Sequence, residues 1–138
     1  MYKKILVGFD GSEAGTKAFD SALELAVRDG SELYVVTVAR PPEFGDEVET
    51  EAVVENSREY HRKILAPLQA VVARRGIRAH FEVAVGHAAE QIIYHADRHQ
   101  VDLIVVGNRG RSKFARLLLG SVSKQVTEHA QRPVLVVR

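Results

Sequence analysis

Residues 102–123 read Asp102-Leu-Ile-Val-Val-Gly107-Asn-Arg-Gly110-Arg-Ser-Lys-Phe-Ala-Arg-Leu-Leu-Leu-Gly120-Ser121-Val122-Ser123. The first part, 102–106, is a short β-branched run with no polar alternation, which is how a strand reads when both faces of its sheet are covered. The run stops at a glycine, and a second glycine thirteen residues later hands over to serines that open a helical pattern, with Val122, Val126 and Ala130 on one face of 121–131. Strand, glycine-rich turn, helix start: this is the βα unit of a layered α/β protein.

Outward from that unit the same alternation repeats. Residues 4–9, Lys-Ile-Leu-Val-Gly-Phe, read as a first strand ended by Asp10-Gly11-Ser12; 33–39 as a second; 78–85 as a third, with Ala79, Phe81, Val83 and Val85 alternating against Arg78, His80 and Glu82; and 134–137 as a fifth, behind Pro133. Pro133 is tolerated at a strand's first position. Between the strands, Ser12 is placed to cap a helix whose small-residue stripe Ala14, Ala18, Ala22, Ala26 runs beside Phe19 and Leu23 to Asp29-Gly30. A longer helix is predicted over 48–75, with Tyr60, Ile64, Leu68, Val71 and Val72 on its apolar side, Gly76 as its stop and Pro67 kinking or dividing it. Another over 87–99 turns Ala89, Ile92, Ile93 and Ala96 inward. The acidic stretch 43–59 reads as a mobile surface loop running into a helix start. The order predicts a parallel sheet with helices on both faces, for which a flavodoxin-like topology is common.

Composition bounds the function. The chain has 138 residues, enough for one compact domain that buries roughly two-thirds of its unfolded surface. Its 19 Lys and Arg against 18 Asp and Glu remove a whole-chain electrostatic case for nucleic-acid or polybasic membrane binding. With no cysteine there are no disulfides, no thiol catalysis and no zinc–thiolate centre. The opening Met1-Tyr2-Lys3-Lys4 does not read as a signal peptide, and no apolar stretch approaches the roughly 20 residues of a membrane span, so the expected location is the cytoplasm.

In an open parallel sheet ligands sit beyond the carboxyl ends of the strands. There the chain places Asp10-Gly11-Ser12, Val38-Ala39-Arg40 and the segment from Gly107. Glycines permit positive φ and let an anion approach backbone amides, while a helix start offers unpaired N–H groups and partial positive charge. Arg109, Arg111, Lys113 and Arg116 add four positive charges, with no acid between Gly107 and Gly120. The same glycines in a plain turn, and the same cations merely solvated, are the competing reading.

Gly107-x2-Gly110-x9-Gly120-Ser121 resembles the G-x2-G-x9-G-[S/T] signature of the ATP-binding branch of the universal stress protein family. The opening Ile5-Leu-Val-Gly-Phe-Asp10-Gly-Ser12, Asp102-Leu-Ile-Val-Val-Gly107 and the closing Arg132-Pro-Val-Leu-Val-Val137 also look like that family, so the likeness runs the length of the chain. It implies a flavodoxin-like, adenine-nucleotide-hydrolase-like α/β fold with strand order 3-2-1-4-5 and a nucleotide at the switch point between strands one and four. On that likeness Gly107, Arg109, Gly110, Gly120, Ser121, Val122 and Ser123 hold ribose and phosphates. Asp10 lies near the nucleotide or its metal, and the backbone of Val38 reads the adenine edge. ATP is the implied ligand, with Mg²⁺ or Mn²⁺ held mainly by phosphate oxygens. Taken alone, Asp10 also reads as a turn or helix-start aspartate satisfied by nearby amides.

Other chemistries find little support. There is no G-x4-G-K-[S/T] and no G-x-G-x-x-G after the first strand. His95 and His99 have the spacing of a metal pair, but the motif is not H-E-x-x-H, no third ligand is evident, and they read as surface histidines. Nothing marks His61, His80, His87 or His129 as a general base, and Ser12 and Ser121 lack a base partner. A phosphorylation receiver would need an acidic cluster after strand one and an aspartate after strand three, where Val85-Gly86-His87 stands instead. The expected function is therefore a nucleotide-dependent stress or signalling module with at most slow hydrolysis. The alternatives are a genuine ATPase or adenylyl-transferring enzyme and a dimeric interaction protein without nucleotide. A homodimer is expected through strand 134–137, whose apolar edge is otherwise a liability.

Overall fold

The computed structural model describes residues 1–41, 47–108 and 119–138, with the backbone alone at 47–50 and 54. Arg109, Gly110, Arg111, Lys113 and Arg116 lie outside the described residues, as do Glu43 and Asp46. The elements are β1 (Lys4–Gly8), α1 (Glu13–Asp29), β2 (Glu32–Ala39), α2 (Glu47–Arg74), β3 (Ala79–Val85), α3 (Ala88–His99), β4 (Leu103–Gly107), α4 (Ser121–His129) and β5 (Val134–Val137). All five strands are parallel, in the order β3-β2-β1-β4-β5.

The sheet sorts its side chains by parity. Ile5 and Val7 join Leu33, Val35, Leu103 and Val105 on the face covered by α1 and α2. Leu6 joins Tyr34, Val36, Ile104 and Val106 on the face covered by α3 and α4. Because both faces are roofed, the central strands carry apolar residues at every position, and the period-2 signal disappears. β1 is the centre, with β2 on one side and β4 on the other, so the chain reverses its winding between them and leaves a crevice at their carboxyl ends.

α1 starts on Ser12, whose side chain accepts from Gly15 N–H, and stops at Gly30 in the left-handed conformation. Ala18, Ala22 and Ala26 are fully buried beside Phe19 and Leu23, so the small-residue stripe lets this helix lie close on the sheet.

α2 matches the expected helix closely and departs from it at Tyr60 on its apolar face. It is a single helix with Pro67 inside it, so of the two outcomes expected of this proline, division does not occur. Proline removes one N–H bond, and burial of Leu65 and Leu68 on either side, with Val72 one turn on, holds the flanking turns in place. Its contact with the sheet is made by Leu65, Leu68 and Val72, with Ile64 and Val71 at the margin, whereas Tyr60 is 57% exposed. The acidic stretch runs into the helix as expected, with α2 starting one residue early so that Glu47 joins Glu49, Glu51, Glu55 and Glu59 within it. Glutamate is a good helix former and is favoured near a helix N-terminus, and Arg62 pairs with both Glu55 and Glu59. None of the helices, among the described residues, is long and apolar enough to cross a membrane.

Candidate functional site

A cleft of about 390 Å³ opens at the crevice between β1 and β4, within the range of small-ligand sites. Its floor is made by the strand ends. After Gly8, Phe9 N–H donates to Val36 O, and the chain then turns through Gly11, whose φ of 82° strongly favours glycine. Asp10 Oδ1 accepts from the Ser12 N–H and hydroxyl, while Ser12 Oγ accepts from Gly15 N–H. Asp10 thus serves the start of α1 and also lines the cleft.

Gly107 ends β4 directly beneath the first turn of α1. A Cβ there would lie 2.4 Å from Ala14 O and 2.7 Å from its carbonyl carbon. Positive φ is not the reason for this glycine, nor for Gly120, which sits at φ −66°, ψ 162°. At Gly107 the reason is main-chain contact between helix and strand. Asn108 then donates its N–H to Val137 O and accepts Gly120 N–H on its side-chain oxygen, both at 2.8 Å. This asparagine, given no role by the sequence reading, joins the end of β4 to the start of α4. Its signal was its place immediately after Gly107.

Two helix starts open on the cleft without side-chain caps, His87 preceding α3 and Gly120 preceding α4. Their first-turn N–H groups carry the partial positive charge that favours anions. Ser121 and Val122 line the cleft from α4, and Val38, Asp10 and Gly107 from the strand ends. Ser123 is 2% exposed and donates its hydroxyl to Gly120 O, and neither it nor Gly120 is among the lining residues of the cleft. The sequence reading overlooked His87, Gly86 and Gln125 as lining residues and gave Arg40 no role; all four contribute to the wall. Apolar surface comes from Val36, Val38, Ile92, Val106 and Val122.

The perturbed ionisable groups lie elsewhere. Backbone N–H groups of Lys4 and Lys3 hold the Asp102 carboxyl below its usual range. Burial pushes the Tyr34 hydroxyl up to about 12, helped by its hydrogen bond to Glu32. Burial also lowers the pKa of His95, overriding the nearby Glu82 carboxylate. His95 is therefore not a surface histidine: it is 7% exposed.

A parallel sheet whose winding reverses at β1, with a cleft at that switch point, defines a doubly wound α/β domain. The universal stress protein family model matches residues 1–138, and the chain belongs to that family. Among similar proteins, the universal stress protein YxiE of Bacillus subtilis is 36% identical over 153 residues, covering 100% of both chains. The solved UspA of Lactobacillus plantarum superposes with a TM-score of 0.87 at 26% identity, covering 99% of this chain and 98% of that one. A universal stress protein solved in complex with cAMP superposes at 0.75, with 27% identity and 99% and 97% coverage.

Proposed function

We propose that this universal stress protein binds an adenine nucleotide, ATP in the first instance, in the cleft between β1 and β4, and that occupancy rather than turnover is what it signals. The observation that carries this reading is the convergence of two uncapped helix starts and Arg40 on one cleft with apolar walls. Phosphates would take the amides of Ser121, Val122 and Ser123 and the approach beside Gly107 and Gly120. Arg109 and Gly110 would complete the cradle, and the Val38 backbone would meet the adenine edge. The relative solved with cAMP supports an adenine nucleotide as the ligand class.

A divalent ion fits only as a companion of the phosphates. Asp10 is the one carboxylate among the described lining residues, and it already accepts from Ser12, whereas Mg²⁺ typically takes one or two carboxylates together with phosphate oxygens. Among the described lining residues no pair of groups is arranged to position an attacking water, and on this reading hydrolysis is slow at most. The protein works in the cytoplasm, as a homodimer paired along β5, an edge strand whose Leu135 is 37% exposed.

Equilibrium dialysis against ATP, AMP and cAMP tests the central claim: saturable binding of one nucleotide per chain is expected. No retention of any of the three at millimolar concentration refutes it. Release of many equivalents of ADP or AMP would replace the binding module with an enzyme. Sedimentation of monomer alone at micromolar concentration would refute the dimer.

A further inference from the structure

We propose that Glu82, His95 and His99 form a binding site for one divalent transition-metal ion of the zinc class, on the β3–α3 edge and outside the nucleotide cleft. The three residues come from two elements, β3 and α3, that the fold brings together. β3 turns Glu82 and Ala84 toward the layer of α3, and α3 presents His95 and His99 one turn apart on the facing side. One ligand atom from each residue lies within 4.8 Å of the other two.

Glu82 sits between the imidazoles. Its Oε2 is 2.7 Å from His95 Nδ1 and its Oε1 is 3.1 Å from His99 Nε2. The His95 side chain is only 9% exposed, yet its Nδ1 has no hydrogen-bond partner despite the carboxylate oxygen 2.7 Å away. A buried ring nitrogen left unsatisfied is costly unless something else takes its lone pair. Zinc bonds of about 2.0–2.2 Å place tetrahedral ligand atoms roughly 3.3 Å apart. The 2.7 and 3.1 Å contacts, made by different Glu82 oxygens, fall below that spacing and the 4.8 Å limit of the set lies above it, so side-chain rotation can close the three groups around an ion.

Two imidazoles and one carboxylate, with a fourth position open to water, is a donor set that suits Zn²⁺ and its neighbours. Mg²⁺ and Ca²⁺ prefer all-oxygen shells. Tyr34 stacks on the His99 ring at 4.2 Å and on His80 at 4.8 Å, which fixes the plane of the ligating ring. Glu32 accepts from Tyr34 and lies 2.8 Å from the His80 ring nitrogen, which holds the stacked rings in place. The ion would clip the edge strand β3 to α3.

The test uses the full chain stripped with chelator, titrated calorimetrically with ZnCl2 and separately with Co²⁺ followed by visible absorption. One equivalent of Zn²⁺ per chain, a raised unfolding midpoint and the strong visible bands of four-coordinate cobalt are expected. Glu82→Gln and His99→Gln should each weaken binding by roughly 100-fold or more, beyond the 10–100-fold of outer partners. His61→Gln and His129→Gln should change nothing. Zn²⁺ should also protect His95 and His99 of the unsubstituted protein from carbethoxylation mapped by mass spectrometry, a readout that needs no variant to fold. Absence of micromolar binding overturns the proposal. So does binding that survives both ligand substitutions, or protection that falls on other histidines. None of these readings depends on whether the cleft takes nucleotide.

Discussion

Replacing Gly107 with alanine adds one methyl group where α1 crosses the end of β4. The new Cβ would stand 2.4 Å from Ala14 O, and ordinary contact begins near 3.4 Å, so the first turn of α1 must withdraw by about 1 Å. That turn cannot move alone, because Phe19, Ala18 and Ala22 behind it are packed without free space against the sheet. Overpacking of this kind costs about 1–3 kcal/mol. For a chain of 138 residues, 1 kcal/mol corresponds to roughly 3.5 °C, so the midpoint should fall by about 3–10 °C. Thermal and urea unfolding followed by circular dichroism measure it. Ala14→Gly should not rescue the variant, because the collision is with main chain rather than the Ala14 methyl. A Gly107→Ala protein within about 0.5 kcal/mol of the parent would refute the steric account, and rescue by Ala14→Gly would show that the methyl, not the carbonyl, sets the distance.

Other outcomes are expected at separate points of the molecule. Gly120→Val keeps an extended backbone that any residue adopts, so the protein should fold while dialysis shows ATP affinity reduced at least tenfold; unchanged affinity would remove this helix start from the site. The depressed carboxyl of Asp102 contributes stability that is complete above the unfolded pKa of about 3.9 and is lost as pH falls through the lower folded value. Asp102→Asn should therefore be less stable than the parent at pH 7, with the gap closing in acid; a pH-independent gap would contradict the assignment. Tyr34 favours its neutral form, so its contribution is complete below the unfolded pKa near 10 and is lost as pH rises through about 12. In a spectrophotometric titration of the four tyrosines, the last to ionise should vanish in Tyr34→Phe; four indistinguishable tyrosines would contradict the burial of its hydroxyl.

Much of this architecture could be read in the chain because burial on both sheet faces leaves continuous apolar runs, as in Leu103–Val106, bounded by glycine or aspartate. Strand ends were displaced by a residue or so, where pairing rather than hydropathy decides. The helices were harder. Tyr60 continues the spacing of Ile64 and Leu68, but periodicity cannot tell that Leu65 and not Tyr60 meets the sheet. Pro67 argues locally for a kink or a break, and packing of Leu65 and Leu68 on either side keeps one helix. In the cleft, Asp10, Val38, Gly107, Ser121 and Val122 were legible from their places at strand ends and a helix start. Arg40, His87 and Gln125 become wall residues only through the layering. Glu82 was invisible beside His95 and His99 because a strand and the following helix bring it there, not the local sequence.

Asn108 has a consequence for how this molecule tolerates change. By receiving Gly120 N–H it makes residues 108 and 120 a closed gate whose posts are fixed to each other and, through Val137, to the sheet. The end of β4 and the start of α4 are therefore held to each other directly through one side-chain oxygen, so a change at position 108 reaches strand and helix together.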